Sequence, residues 1–267
     1  MRCYIAFLRQ QIRALTLYRF EFFVKIIYGL IAMYGAHCLW TALYTQDPAL
    51  LERSLPSTTT YAMLAMALDI VFYPSGDNSV DRYMSERVRS GSIDTDLLRP
   101  INFQVQQFFR NSSYVLAVTV ILVLPACIVG ILLLDMQLPA SLTHMLAFVM
   151  SLVLAYLVLF SMNFLLGLVS MITLNIKHIS WAYRSMIGLF SGKLIPLWIF
   201  PNEMQRIINL LPFRCVFDIP LNIYTGELQG SALLWQMLLQ LFWGVLLWGS
   251  GQIAWQIIRK QLTVQGG

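Results

Sequence analysis

A series of apolar segments, each about 20 residues long, limits the possible folds of this chain more than any other feature. The segments occupy residues 24–44, 57–73, 112–134, 142–169, 181–200 and 233–257. A helix of about 20 residues is long enough to cross the hydrocarbon core of a bilayer. Hydrophobic residues make up 58% of the chain and charged residues 12%, compared with about 25% charged residues in soluble domains. The sequence therefore predicts an all-α polytopic membrane protein with six transmembrane helices, forming one domain over residues 1–267.

The positions of the basic residues predict how these helices are oriented. If the N-terminus is cytoplasmic, the cytoplasmic segments contain 14 Lys and Arg residues and the outer loops contain three. Cytoplasmic loops of membrane proteins carry an excess of Lys and Arg, so this orientation is favoured and both termini are predicted to be cytoplasmic. The same bias explains the net charge of +5 without a nucleic-acid partner, because basic runs with interleaved aromatic residues are missing.

Two further segments are apolar but do not fit a simple transmembrane helix. Residues 1–22 place arginines on one helical face and aliphatic residues on the opposite face, which is typical of a helix lying in the lipid interface. An extension of the first transmembrane helix is the alternative. Residues 201–230 are too apolar for an ordinary loop and contain several prolines, so we expect short helices at 207–211 and 217–224 that re-enter the outer membrane surface.

The polar stretch from residue 75 to residue 103 contains a dense cluster of charge in a chain with few charged residues. Asp77 or Asn78 can cap a short helix whose apolar side contains valine, tyrosine and methionine residues. Gly91 is expected to end that helix in a left-handed conformation, and Ser92 can begin a second one. The segment is therefore predicted to be a stiff helix–glycine–helix element on the cytoplasmic side.

Charged residues within the apolar segments are the candidates for a transport pathway. Asp69 lies near the cytoplasmic end of the second segment and can either line a pathway or pair with an arginine of the polar stretch. Lys193 and Pro196 lie where small residues and proline interrupt the fifth segment, which predicts a broken helix beside a cavity. Lys193 can extend to the outer interface or face the pathway. Asp69, Lys193 and His37 are expected at different membrane depths.

The motifs of common enzymes are missing from the sequence. It contains no GxxxxGK[ST], GxGxxG, HExxH or GxSxG motif, so nucleotide binding and hydrolysis are not expected in this chain. The histidines are far apart along the chain, and the four cysteines form no CxxC pair, so we expect no metal site. Cys38 and Cys127 are predicted to pack as small apolar residues inside the membrane.

Two runs of residues resemble a known family. Residues 88–100, with the sequence VRSGSIDTDLLRP, resemble a segment of bacterial ABC-2 type transporter permeases. The run FSGKLIPLWIFP at 190–201 and its continuation through LPF at 211–213 to IYTG at 223–226 are similar to the same family. The number and orientation of the apolar segments agree with this resemblance along nearly the whole chain.

The resemblance implies a membrane subunit of an ATP-binding cassette exporter in the bacterial inner membrane. Such permeases have an amphipathic N-terminal helix, a coupling helix between the second and third transmembrane helices and re-entrant helices before the sixth. They pair with a second permease, either the same or a related chain, and with ATPase subunits that bind ATP and Mg²⁺. No cofactor is therefore expected in this chain.

The resemblance leads to a prediction for each working surface. Force from the ATPase would be received by Ser90, Gly91, Asp94, Leu97, Leu98 and Arg99, and the first and fifth transmembrane helices would line a pathway that includes Asp69, Lys193 and Pro196. One alternative function is a transporter or channel driven by an ion gradient, and another is a membrane subunit that does not transport. The sequence does not identify the substrate.

Overall fold

The computed structural model describes residues 19–46, 53–72, 79–93, 102–173 and 177–265. Within these ranges the chain is helical and contains no β-strand. The predicted all-α class is therefore confirmed. Most of the predicted interface helix (residues 1–18) and most of the second half of the polar stretch (residues 94–101) lie outside the described ranges. Residues 19–22 continue directly into the first long helix.

Five helices of the described residues are long and apolar enough to cross a membrane. These are α1 (Arg19–Gln46), α2 (Leu55–Phe72), the composite helix Phe103–Leu133, α6 (Leu142–Ile172) and α10 (Gly230–Gln265). The shortest, α2, has 18 residues and spans about 27 Å at 1.5 Å per residue. Helix α2 lies between α1 and the composite helix. It is the most buried of the five because other helices pack against most of its surface.

The composite helix contains a local widening next to its proline. It consists of α4 (Phe103–Val118), a π-helical turn (Thr119–Val123) and α5 (Leu124–Leu133). The N–H of Leu124 donates to the carbonyl of Thr119, five residues earlier. Pro125 cannot donate a hydrogen bond, and the widened turn before it accommodates that loss. The composite helix is thus interrupted by a π-helical turn just ahead of the proline.

The break predicted in the fifth apolar segment is confirmed. Helix α7 (Lys177–Phe190) is followed by a non-helical stretch at 191–196 and a 3₁₀ turn (Leu197–Ile199). Gly192 has φ +84°, a left-handed conformation that favours glycine and ends the helix. The predicted start of the fifth apolar segment at residue 181 is four residues late, because the amphipathic sequence KHISWAYR from Lys177 onward already belongs to α7.

Short helices fill the proline-rich region before α10. Helix α8 (Asn202–Leu210) begins five residues earlier than predicted and is largely exposed. A 3₁₀ turn (Pro212–Cys215) leads into α9 (Asp218–Tyr224), in which every residue is buried. Helix α9 packs against α6 and α2, so the region after residue 211 is part of the core.

Helix α6 lies at the centre of the molecule and packs against α10, α9 and α3 (Val80–Arg89). The largest apolar cluster joins α2, α4, α6 and α9. A second cluster at the other end of α6 joins that helix to α3, α4 and α10. Cys127 is partly buried, but Cys38 is exposed on α1, so its predicted packing role is wrong. The reason is that Cys38 lies on the side of α1 that faces away from α2.

Candidate functional site

Helix α3 is the core of the predicted coupling element, and its apolar face is anchored. Val80 and Met84 are buried against aromatic residues of α4, α6 and α10. Gly167 on α6 makes this close approach possible, since a Cβ atom there would lie 2.5 Å from the sulfur of Met84. The apolar face predicted for this helix is therefore confirmed. Its N-cap is Ser79, while the predicted caps Asp77 and Asn78 lie outside the described residues.

A buried carboxylate links α3 to the broken helix. The side chain of Asp81 is almost fully buried and accepts a hydrogen bond from the Ser180 hydroxyl at 3.1 Å. An Arg184 nitrogen lies 3.4 Å from the same carboxylate. A buried carboxylate needs such partners because water is excluded from it. Asp81 was not among the predicted site residues, although an acidic residue on the apolar face of an amphipathic helix was the available signal.

An aromatic contact links α3 to α4. The guanidinium of Arg110 on α4 lies 3.3 Å from the ring centroid of Tyr83. Arg87 approaches the same ring and donates a hydrogen bond to the Tyr83 hydroxyl at 3.1 Å. Stacked guanidinium groups stabilise such contacts. Together with the Met84 and Asp81 contacts, this places α3 against α4, α6 and α7 at once.

The tip of the element is exposed, in contrast to its base. Arg89, Ser90 and Gly91 are exposed, whereas Ile93 is buried. Gly91 has φ +66°, and its N–H donates to the carbonyl of Val88 at 3.1 Å. The predicted left-handed end at Gly91 is therefore confirmed. Of the predicted docking residues, Ser90 and Gly91 lie at this exposed tip, and Asp94, Leu97, Leu98 and Arg99 lie outside the described residues.

A cleft of about 180 Å³ lies between α1, α2 and the broken segment. Small and apolar side chains of the two helices form most of its wall, together with Tyr61, and the broken segment contributes Lys193, Leu194 and Pro196. Two of the three predicted pathway residues, Lys193 and Pro196, thus line one cavity. From α1 and α2 the wall contains Ala32, Gly35, Ala36, Leu39, Trp40, Tyr61, Ala62 and Met66.

The remaining predicted pathway residue, Asp69, contacts Lys193. The Lys193 ammonium nitrogen lies 2.6 Å from an Asp69 carboxylate oxygen, and both side chains are mostly buried. The expectation that these two residues lie at different depths is therefore wrong. The physical reason is the chain reversal at Gly192, after which the long Lys193 side chain reaches Asp69 on α2. Pairing of Asp69 with an arginine of the polar stretch stays a prediction, because Arg99 of that stretch lies outside the described residues.

A polar network holds the broken segment against α9. The Tyr61 hydroxyl donates to the carbonyl of Gly192 at 3.0 Å and lies 3.5 Å from the Asp218 carboxylate. Asp218 also pairs with Arg214 at 3.0 Å and accepts a hydrogen bond from Asn222 at 2.8 Å. These contacts fix one wall of the cleft. The signal in the sequence was Asp218 itself, a carboxylate inside an apolar run.

Arg53 extends this network to the start of α2. Its guanidinium lies 3.6 Å from the ring centroid of Trp198 and donates to Asn222 at 2.5 Å. In the sequence, Arg53 is only one of the three basic residues counted in the outer loops. The structure shows instead that it joins α2, the broken segment and α9. No three His, Cys, Asp or Glu side chains come together within the described ranges.

Comparison with known families identifies the family of this chain. The family model described as "ABC-2 family transporter protein" matches residues 30–266. The chain belongs to the ABC-2 transporter family. It is therefore a multi-pass membrane protein and a transport component of that family, not itself catalytic. A comparison with curated proteins finds no match. The family model begins within α1 and includes α3, the cleft and α9.

Proposed function

We propose that this ABC-2 protein is the permease subunit of an ATP-driven exporter, in which a separate nucleotide-binding subunit binds ATP and Mg²⁺ and hydrolyses the ATP. The observation that supports this most directly is the form of α3. Its exposed tip at Arg89–Gly91 is available to a partner, while its base contacts three membrane helices. A push on the tip would therefore reach α4, α6 and α7 together.

In this proposal α3 acts as a stiff lever. Force applied near Ser90 would be transmitted through the Asp81–Arg184 pair to α7, and α7 leads directly into the Gly192 reversal. Lys193 follows that reversal and lines the cleft. Movement of α7 would thus change the cleft wall, which connects ATP hydrolysis outside the chain to a substrate path within it.

The proposed membrane arrangement follows the same logic. The chain would lie in a bacterial inner membrane with both termini and α3 in the cytoplasm, because Lys and Arg are concentrated on that side. Helix α7 and the 3₁₀ turn would together form the fifth of six crossings, and α9 would re-enter from the outer surface before the last crossing, α10. A second permease, the same or a related chain, would complete the transport path.

The Lys193–Asp69 pair supports one alternative, a transporter driven by an ion gradient. Buried ionisable pairs occur along proton and ion pathways in membranes. The two functions differ in their energy source. Co-purification with a nucleotide-binding subunit, together with vesicle transport that requires ATP and persists after a protonophore is added, supports the ATP-driven exporter. Transport that continues without ATP and stops with the protonophore contradicts it.

A further inference from the structure

The cleft beside Lys193 has a chemistry that limits what it can hold. Apart from Tyr61 and Lys193, the described residues that form its wall are alanine, glycine, leucine, methionine, tryptophan and proline. A ligand with many hydroxyl groups would lose hydrogen bonds to water there without replacing them. The wall therefore favours a ligand whose main part is apolar and disfavours a sugar chain.

The size of the cleft limits the shape of that ligand. Drug-sized ligands usually occupy pockets of about 300–1,000 Å³, and this cleft has a volume of about 180 Å³. It can enclose one ring or a short length of an alkyl chain. Two large residues of the wall, Leu39 and Leu194, are 56% and 51% exposed, so the cleft opens onto an apolar surface of the chain. A linear molecule can place one end in the cleft and continue along that surface.

Lys193 gives the cleft its charge preference. Lys193 belongs to the wall, and its carboxylate partner Asp69 does not. An ammonium group has three N–H donors, so it can contact Asp69 and a second anionic group together. In an apolar setting, contact with a charged group is stronger than a hydrogen bond between neutral groups.

We propose that the cleft between α1, α2 and residues 193–196 binds a linear amphiphile with a single anionic group, which enters from the bilayer and places that group at Lys193. The claim that this amphiphile is the transported substrate rests on the proposed exporter function. The binding site itself needs no ATPase. Asp69 competes with the ligand for Lys193 and so limits its affinity.

Photolabelling of the purified full chain in detergent tests the binding site. The probes are a diazirine-bearing hexadecanoate and the hexadecanol with the diazirine at the same position, and labelled peptides are located by mass spectrometry. We expect the carboxylate to label the cleft peptides of α1 and α2 about tenfold more than the alcohol, the factor given by about 1.4 kcal/mol for one charge-assisted contact. Equal labelling by the two probes overturns the proposal.

Variants separate the charge of Lys193 from its structural role. K193Q should bring the labelling ratio close to one, K193R should preserve it, and D69N should raise it by removing the competing carboxylate. The double variant D69N/K193Q exchanges the ion pair for two amides, so it leaves no unpaired buried charge and still should lose the preference. R206Q removes a cation from the exposed Arg206–Glu203 pair on α8 and should leave the ratio unchanged.

Other occupants of the cleft give different results. If a second copy of the chain fills it, neither probe labels the cleft peptides, and the proposal is wrong. If the preference for the carboxylate persists in the double variant, the charge that attracts it lies elsewhere, and the proposal is also wrong. If the carboxylate probe labels the cleft preferentially but no ATPase partner is found, the binding-site proposal stands and the exporter proposal is wrong. If transport depends on ATP but both probes label the cleft equally, the exporter proposal stands and the binding-site proposal is wrong.

Discussion

Loss of the Asp81–Arg184 pair should uncouple α3 from the broken helix. Asp81 is about 2% exposed, whereas the Arg184 side chain is 29% exposed, so solvent weakens the pair from one side. Breaking a fully buried ion pair costs about 3–5 kcal/mol, and partial exposure of Arg184 reduces this figure. We expect D81N to lower the free energy of unfolding by about 1–3 kcal/mol, because the substituted amide would keep one acceptor for Ser180 but lose the charge.

A double-mutant cycle with D81N and R184Q measures the pair itself, by reversible unfolding in mixed micelles. The expected interaction energy is about 1–2 kcal/mol, since the two single variants remove the same contact. The Glu203–Arg206 pair of α8 is a matched control with both side chains at least 75% exposed, and its cycle should give less than about 0.5 kcal/mol. Additive effects of D81N and R184Q would refute the contribution of the Asp81–Arg184 pair to the link between α3 and α7, which would then rest on the Ser180 hydrogen bond to Asp81.

Three further predictions concern the packing that positions the two sites. G167V should lower the free energy of unfolding by about 1–3 kcal/mol because its side chain would overlap Met84. Adding M84A should restore part of that loss, and an equal loss in G167V and G167V/M84A would contradict this. Q240L should lower the free energy of unfolding by about 1–3 kcal/mol, because the Cys215 carbonyl would lose its 2.8 Å hydrogen bond. An unchanged unfolding midpoint would contradict this prediction. G192A places a side chain at φ +84° and should reduce the yield of folded protein in size-exclusion chromatography, and a normal yield would show that the reversal tolerates a side chain.

The membrane helices were predictable because their signal is local. About 20 apolar residues in sequence suffice to predict a transmembrane helix, and five such helices are present among the described residues. The left-handed end of α3 and the break after Phe190 were also predictable, because Gly91 and Gly192 meet a backbone requirement that few other residues can meet. In each case the information lies within a few residues of the feature.

The functional contacts were less predictable because they depend on tertiary structure. The Lys193–Asp69 pair joins residues that are far apart in sequence, and the chain reversal that brings them together cannot be located from hydropathy. The start of α7 at Lys177 was missed because the fifth apolar segment begins only at residue 181, whereas α7 is amphipathic. Arg53 and Asp218 were visible as charges, but their common network depends on the packing of α9 against α2.

The central claim is that the exposed tip of α3 receives work from a separate ATPase, and G91V tests it most directly. Gly91 has φ +66°, and no atom of the described residues lies within 4 Å of the position that a Cβ would take there. Valine therefore strains the backbone of the tip by about 1–2 kcal/mol without a clash. G230V is the matched control, since Gly230 has φ +54° and open space at the start of α10. With the nucleotide-binding subunit present, G91V should abolish ATP-dependent transport in vesicles and stimulation of ATP hydrolysis, while G230V keeps both. Normal transport and stimulation in a properly inserted G91V protein would contradict the account.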